Sequence, residues 1–317
     1  MSDPPVSVII CVHDGEQFLA ATIDSVLAQT WTSFELIIVD DGSTDGSAAL
    51  VRSYRDARLR LIAQRNQGAA AALATGIRES RGDYISFLDQ DDLWREDKLS
   101  AHLSRHQERP GVDLTFSWFQ VINETGRRMG ACSRRYRGPI DFAQLLEDFV
   151  IAGSSNVVAR RAAIEKAGGV DTAIARLYDL DLFLRIALLA PRNIEAIPVD
   201  LMLYRRHAGQ ITRKLESLQR EWEMVVEKMR DLAPAAVAVT EPSARSNNNR
   251  YWARLAYESG DYRSGLQFLR AGFANAPGYC AKDPRNWITA AACLCGLLLP
   301  RRLHYALERL AGLNLRS

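Results

Sequence analysis

The densest concentration of reactive side chains in this 317-residue sequence is Asp89-Gln90-Asp91-Asp92, which directly follows the apolar run Tyr84-Ile85-Ser86-Phe87-Leu88. Carboxylates spaced at the end of a strand offer hard oxygen ligands to Mn2+ or Mg2+, and such an ion can bridge the oxygens of a diphosphate. Asp92 has a competing reading as a helix cap. It precedes Leu93-Trp94-Arg95-Glu96-Asp97, and a helix starting there should end near Arg109-Pro110-Gly111. Asp89 and Asp91 have no equivalent structural reason and are the expected metal site.

Three further clusters could complete a site. In Asp40-Asp41-Gly42-Ser43-Thr44-Asp45-Gly46-Ser47 a carboxylate, Asp41 above all, can accept a hydrogen bond from a base N–H, while the remainder reads as turn and cap chemistry. In Leu177-Tyr178-Asp179-Leu180-Asp181 a carboxylate at a helix start can act as general base, with Asp179 preferred and Asp181 in reserve; the other reading is an N-cap. In Tyr204-Arg205-Arg206-His207 a neutral imidazole can ligate Mn2+ and guanidinium groups can neutralise a diphosphate; the other reading is a solvated basic loop.

The elements that must position these residues follow from periodicity. Val6-Ser7-Val8-Ile9-Ile10-Cys11-Val12 is apolar on both faces, as in a strand covered by helices. Helical spacing from Gln17 to Gln29, the strand Phe34 to Val39, a helix from about Asp45 to Tyr54, a strand at Leu59 to Ile62, an alanine-rich helix from Gly68 to Glu79 and the strand Tyr84 to Leu88 continue the alternation. This predicts an open α/β sheet, in which ligands bind beyond the carboxyl ends of the strands. His13-Asp14, Asp40-Asp41 and Asp89 to Asp92 all stand at such ends. No GxGxxG follows the first strand and no Gly-Lys-Ser/Thr loop is present, so dinucleotide oxidoreductases and P-loop nucleotidases are disfavoured.

Together, VSVIICVHDGEQFLAATIDSVLAQTWTSFELIIVDDGSTDGS, NQGAAAALATGI and GDYISFLDQDD resemble the amino-terminal half of the family 2 inverting glycosyltransferases, in order and separation. The resemblance spans roughly Val6 to His207. It implies the mostly parallel, Rossmann-like sheet of the nucleotide-diphospho-sugar transferase (GT-A) fold and a nucleotide-sugar donor. It also implies a sugar transferred to a hydroxyl of a glycan or lipid-linked acceptor. By the same resemblance Asp41 contacts the base, Asp89 lies near ribose or sugar, Asp91 is the principal metal ligand, and His13 and Asp14 join the donor contacts. Tyr178 falls where the family has Glu, and Asp179 falls on its Asp. His207 lies in a Tyr-Arg-x-His stretch as a metal or diphosphate contact. Cys11, His13 and Asp14 stand in place of the family's proline, aromatic residue and asparagine, and Ala74 replaces an asparagine. The segment Gly153-Ser154-Ser155-Asn156 resembles one that shapes the acceptor pocket.

The rest of the chain sets the context. Forty Lys and Arg against 38 Asp and Glu give no electrostatic case for nucleic acid as a partner. Five cysteines without zinc-ribbon spacing, and no basic-then-apolar leader, point to a cytoplasmic protein. Residues 1–210 read as the catalytic domain, with a donor-binding half to about 110 and an acceptor half beyond it, and residues 211–317 as a helical module. In that module Glu241 to Asn249 reads as a linker, and Arg250 to Pro277 resembles one tetratricopeptide hairpin. Trp287 to Pro300 suits a shallow helix at the inner face of the membrane and equally a buried helix. Two rival functions fit the same sequence: a non-catalytic interaction protein on a sugar-nucleotide fold, and a polyprenyl-phosphate sugar transferase.

Overall fold

A computed structural model describes residues 6–151, 153–207, 215–300 and 303. Its first strand, β1 (Val6–Val12), is buried except for the partly exposed Cys11, as β-branched residues covered on both faces should be. α1 (Glu16–Leu27) buries Leu19, Thr22, Ile23 and Val26 on one face. β2 (Phe34–Asp40), α2 (Ser47–Ser53), β3 (Leu59–Ala63), α3 (Ala69–Glu79) and β4 (Tyr84–Asp89) follow. β2 and β4 flank β1 and β3 flanks β2, all in parallel, so the ends of β1, β2 and β4 share one rim. Gly76 lets α3 lie close to the sheet, because a Cβ there would meet Ile9 Cγ2 at 2.4 Å.

The second half of the sheet departs from that pattern. After β5 (Leu93–Trp94) and α4 (Lys98–Glu108) come β6 (Leu114–Ile122), β7 (Arg128–Cys132), β8 (Gly138–Ile140) and α5 (Phe142–Glu147). A 3-10 turn (Ser154–Asn156) then leads to β9 (Val157–Arg160), α6 (Arg161–Lys166), α7 (Tyr178–Ala187) and β10 (Ile194–Arg205). The strand order is β3-β2-β1-β4-β9-β6-β10-β5. β9 is antiparallel to both β4 and β6, whereas β6 and β10 are parallel, so β6 and β10 point their carboxyl ends to the same rim as β4.

The expected helix directly after Asp92 is not formed. Leu93 and Trp94 instead make a two-residue strand against Leu203 and Met202 of β10, and the helix starts only at Lys98. Asp92 is therefore no cap. Its carboxylate accepts the Arg205 backbone N–H, fixing β10 against the end of β4.

The chain forms two compact units, one of Met1–Leu145, Phe149–Ile211 and Glu221–Val225, the other of Leu146–Asp148, Thr212–Arg220 and Val226–Ser317. The chain continues through α8 (Leu215–Leu232), α9 (Pro234–Glu258), α10 (Tyr262–Asn275), α11 (Pro277–Lys282) and α12 (Pro284–Leu298). The expected linker Glu241 to Asn249 lies inside α9, a correction with a local cause. Glu241 is paired with Arg230 and Arg245, while Asn248 and Asn249 donate to the carbonyls of Ala244 and Arg245 one turn back, so polar side chains that usually favour loops are satisfied in a helix. α9 and α10 form a hairpin about Gly260 (φ 84°), and Asp261 caps α10 by accepting the Ser264 N–H.

One interior feature of the first unit stands apart from the apolar core. Lys98 is fully buried, with Nζ 3.2 Å from His102 Nε2 and 4.8 Å from the Trp94 ring centroid; His102 Nδ1 lies 2.8 Å from Thr115 Oγ1. Burial pushes the lysine well below the usual ammonium range and His102 well below the usual imidazole range. The unfolded chain binds a proton at Lys98 that the folded chain resists, so this residue lowers stability at neutral pH, and less as pH rises toward the unfolded value. Lys98→Met, close in volume, should raise the melting temperature near neutral pH, with the gain shrinking in alkaline buffer. A melting temperature that falls at both pH values would show that the amine's contacts outweigh its desolvation.

Candidate active site

The loops after β1 and β2 are stitched together by their own polar side chains. Asp14, in the left-handed region at φ 49°, places Oδ1 2.7 Å from the Thr44 N–H and 3.3 Å from that of Asp45. In return Ser43 Oγ accepts the Asp14 N–H, Ser47 Oγ accepts that of Gly15, and Asp45 accepts that of Glu16, whose own carboxylate accepts the Gly46 N–H. The Thr44 N–H is the chief cause holding Asp14 below the usual carboxylate range. Asp14, read from sequence as a donor contact, is thus engaged in joining these loops.

Asp41 is buried and works the same way on the next loop. Oδ1 accepts Gln64 Nε2 at 2.8 Å and the Gln67 N–H at 2.9 Å, and Oδ2 accepts the N–H of Gly68 at 2.8 Å. Gly68, at φ 90°, opens α3, so Asp41 anchors the start of that helix while Oδ2 keeps acceptor capacity. Above it stands His13, 44% exposed, with Nδ1 3.0 Å from the Asp41 carbonyl and Nε2 3.1 Å from Asn66 Nδ2. His13 is itself held through its backbone, whose N–H donates to Gln90 Oε1 and whose carbonyl accepts from Gln90 Nε2. Gly15 permits this approach, since a Cβ there would lie 2.4 Å from Gln90 Oε1.

Three carboxylates crowd the end of β4, and each has a different support. Asp89 accepts Ser154 Oγ at 3.1 Å and donates its own N–H to Ser155 Oγ at 2.9 Å. The 3-10 turn holding these serines is fixed by Asn156, which bonds Ser117, and by Trp94 Nε1 donating to the Ser155 carbonyl. Asp92 turns inward to β10, leaving Oδ2 without a partner. Asp91 Oδ2 lies 2.7 Å from His207 Nε2, each side chain 17% exposed, with the imidazole also 4.9 Å from the Phe18 ring. The Arg205 guanidinium is engaged with backbone: Nε donates to the Asp91 carbonyl and Nη1 to those of Asn123 and Glu124.

These placements leave the site short of positive charge. Burial and then repulsion by Asp91 push Asp89 up to about 6, and the same causes carry Asp92 well above the usual carboxylate range. Burial first, then the charge of Asp89, pushes Asp179 up to about 7, even though Asp179 Oδ1 accepts the Leu180 N–H. Tyr178, next to it, is held neutral by burial and by Asp89 and Asp179, and the Cys11 thiol beneath is raised by burial and Asp89.

A divalent cation fits this electrostatic deficit. The donor set nearest to hand is one carboxylate and one imidazole, Asp91 and His207, which suits Mn2+ better than Mg2+. Among the described residues no group of three His, Cys, Asp or Glu side chains is gathered to hold an ion alone. Asp89, expected as companion ligand, gives Oδ1 to the serine turn, and phosphate oxygens and water would complete the coordination.

The sequence-predicted base and its reserve separate cleanly in α7. Asp179 stands in the first turn without a cation partner among the described residues, whereas Asp181 is buried against Arg185, which also donates to the Ala167 carbonyl. Asp181 is therefore structural, and neither residue caps the helix, whose N-cap position is Leu177. The segment before α7 is held by Glu221 of α8: Oε2 accepts the N–H groups of Arg176 at 2.6 Å and Leu177 at 3.1 Å, and Oε1 accepts Arg176 Nη1. Sequence reading missed Glu221, Gln90 and Thr22, whose hydroxyl lies 2.9 Å from the carbonyls of both Gln90 and Asp92. Only Gln90, inside the acidic run, had a signal that could have found it.

Comparison with known proteins bears on the family and the fold. The protein is 28% identical over 231 residues to the UDP-Glc:alpha-D-GlcNAc-diphosphoundecaprenol beta-1,3-glucosyltransferase WfgD of Escherichia coli, covering 71% of this chain and 87% of WfgD. It is 36% identical over 153 residues to an uncharacterized glycosyltransferase of Rickettsia felis, covering 48% of this chain; it spans only 25% of that longer relative. The crystal structure of S. aureus TarS 1-349 in complex with UDP-GlcNAc superposes with a TM-score of 0.65 at 15% identity, covering 91% of this chain and 90% of that one, which shows the GT-A fold. The profile of Glycosyl transferase family 2 matches residues 7–168, half of the chain, and the protein belongs to that family.

Proposed function

We propose that this protein is an inverting, metal-dependent glycosyltransferase that moves a sugar from a nucleotide-sugar, a UDP-sugar, to a hydroxyl of a glycan or lipid-linked acceptor in cell-surface polysaccharide synthesis. The observation that carries the reading is the meeting of Asp91 with His207 at the rim where β1, β2 and β4 end, with a carboxyl raised to about 7 at Asp179 nearby. The UDP-sugar in the name of WfgD and the UDP-GlcNAc in the TarS complex support the choice of donor, and the diphosphoundecaprenol in the former supports a lipid-linked acceptor.

Each residue then has a task. His13 offers an exposed planar ring, and Asp41 Oδ2 an acceptor, beside the base. Asp91 and His207 hold the metal, which would stabilise charge on the departing diphosphate. Asp89 lies between this pair and Asp179 in the electrostatics of the site and faces the sugar. Asp179 takes the proton of the acceptor hydroxyl as that oxygen attacks the anomeric carbon from the side opposite the leaving group, a single displacement that inverts configuration. A base must match its working pH, and burial brings Asp179 near neutrality without a histidine.

Asp91→Asn should abolish Mn2+-dependent UDP release, while His207→Ala should raise the Mn2+ concentration needed for half-maximal rate on the order of 10–100-fold. Full activity of both variants with metal chelated would overturn the assignment.

Asp179→Asn should cost about 10²–10⁴-fold in kcat while leaving UDP binding intact. In the wild type, kcat/KM should climb as pH rises through about 7, because the base acts only when ionised. The sign for stability is opposite. A carboxyl whose folded pKa is raised stabilises the fold at low pH, and that contribution is lost as pH rises through the folded value. The asparagine variant should therefore melt higher than wild type above neutrality. Retained turnover together with a flat pH profile would remove Asp179 from the chemistry.

Glu221→Gln keeps the volume and weakens the hold on Arg176 and Leu177. It should lower kcat several-fold with little change in KM for the donor, and an unchanged kcat would reduce Glu221 to a packing residue.

A further inference from the structure

α12 is amphipathic in the reverse sense for a helix in water. Its polar side chains turn inward: Asn286 is 3% exposed and donates to the Cys280 carbonyl, and Thr289 is 8% exposed and donates to that of Arg285. Its large apolar side chains turn outward, with Trp287 55%, Leu294 47% and Leu298 78% exposed, flanked by Ile288 and Leu297. Trp287, Leu294 and Leu298 stand seven and then four residues apart, which sets them in one stripe along the helix. The helix contains no Asp, Glu or Lys, and its one charge, Arg285, sits in the first turn against Asp283.

Exposed apolar surface concentrated on one helix face marks a contact with something apolar. The charges next to it in the sequence indicate which kind. From Lys282 to the end of the chain the sequence has six basic residues, Lys282, Arg285, Arg301, Arg302, Arg309 and Arg316, against two acidic ones, Asp283 and Glu308. A tryptophan at one end of an apolar stripe, and basic residues that precede and follow the helix in the sequence, match the interfacial layer of a bilayer with anionic headgroups. At 15 residues α12 is too short to cross a bilayer, and no helix among the described residues is long and apolar enough to do so.

We propose that the Trp287-Leu294-Leu298 face of α12 lies flat in the surface of an anionic lipid bilayer. The inference rests on this helix alone and is independent of the reaction proposed above.

The test uses the full chain in co-sedimentation with phosphatidylglycerol-containing vesicles and with vesicles of phosphatidylcholine alone. Wild type should bind the anionic vesicles, more weakly as salt is raised. Leu294→Glu combined with Leu298→Glu, both at exposed positions, should bind at least about tenfold more weakly with unchanged circular dichroism and unchanged UDP release. Equal binding by wild type and the double variant, or no binding by wild type, would overturn the proposal. So would a lipid-free dimer that the double variant converts to monomer, since a second copy would then cover the face. Binding that appears only after removal of residues 304–317 would equally overturn it, by showing that the chain's own end covers the stripe.

Discussion

Everything at the rim depends on how the fold tolerates three carboxylates within four residues at the end of a buried strand. Like charges so close repel, and burial adds a desolvation cost to each. The molecule answers with three separate supports. Asp89 is given two serines from the 3-10 turn, Asp92 the Arg205 N–H from β10, and Asp91 the imidazole of His207. Each support comes from a segment far along the chain, so the site exists only once β9 and β10 have joined the sheet. The antiparallel insertion of β9 serves this end, since it delivers the serine turn to the end of β4.

The same economy governs the loops. Asp14, Asp41, Asp45 and Glu16 each accept backbone N–H groups that irregular segments leave unpaired, and in doing so hold the loops after β1 and β2 and the start of α3. Acidic residues near a donor site therefore divide into those whose oxygens are consumed by the protein and those left with lone pairs for a ligand. Composition alone cannot make that division. Asp14 and Asp91 look alike in the sequence and differ in what surrounds them.

The parallel half of the sheet was legible because strands buried on both faces are continuous apolar runs and the helices between them show clear periodicity. The positions of Asp41, Asp89 and Asp91 at strand ends followed from the same pattern. β5 was missed because two residues carry no period, and its pairing with Leu203 and Met202 depends on a strand more than a hundred residues later. The interior of α9 was misread for a different reason. Ser246, Asn247 and Asn249 are loop formers by local preference, yet all three are buried with their hydrogen bonds satisfied, so packing overrode propensity. Glu221 was invisible because it is one acid among many on a charged helix, and only the folded chain brings it to the start of α7.

Asp179 and Asp181 show how environment assigns chemical roles on one helical turn. Both are buried aspartates of α7, two residues apart, and either could have been the base by sequence. Asp181 faces Arg185, and its carboxylate is spent on that ion pair inside the protein. Asp179 faces Asp89 and Tyr178, neither of which can lend it a positive charge, so burial dominates and its proton affinity rises toward the working range. The raised affinity is held in place by rigid neighbours, because Glu221 fixes the two residues before α7 and prevents the turn from relaxing toward solvent. A carboxyl kept out of water in this way is costly to the fold. Under the function proposed above, that cost serves a group that accepts a proton arriving with a substrate.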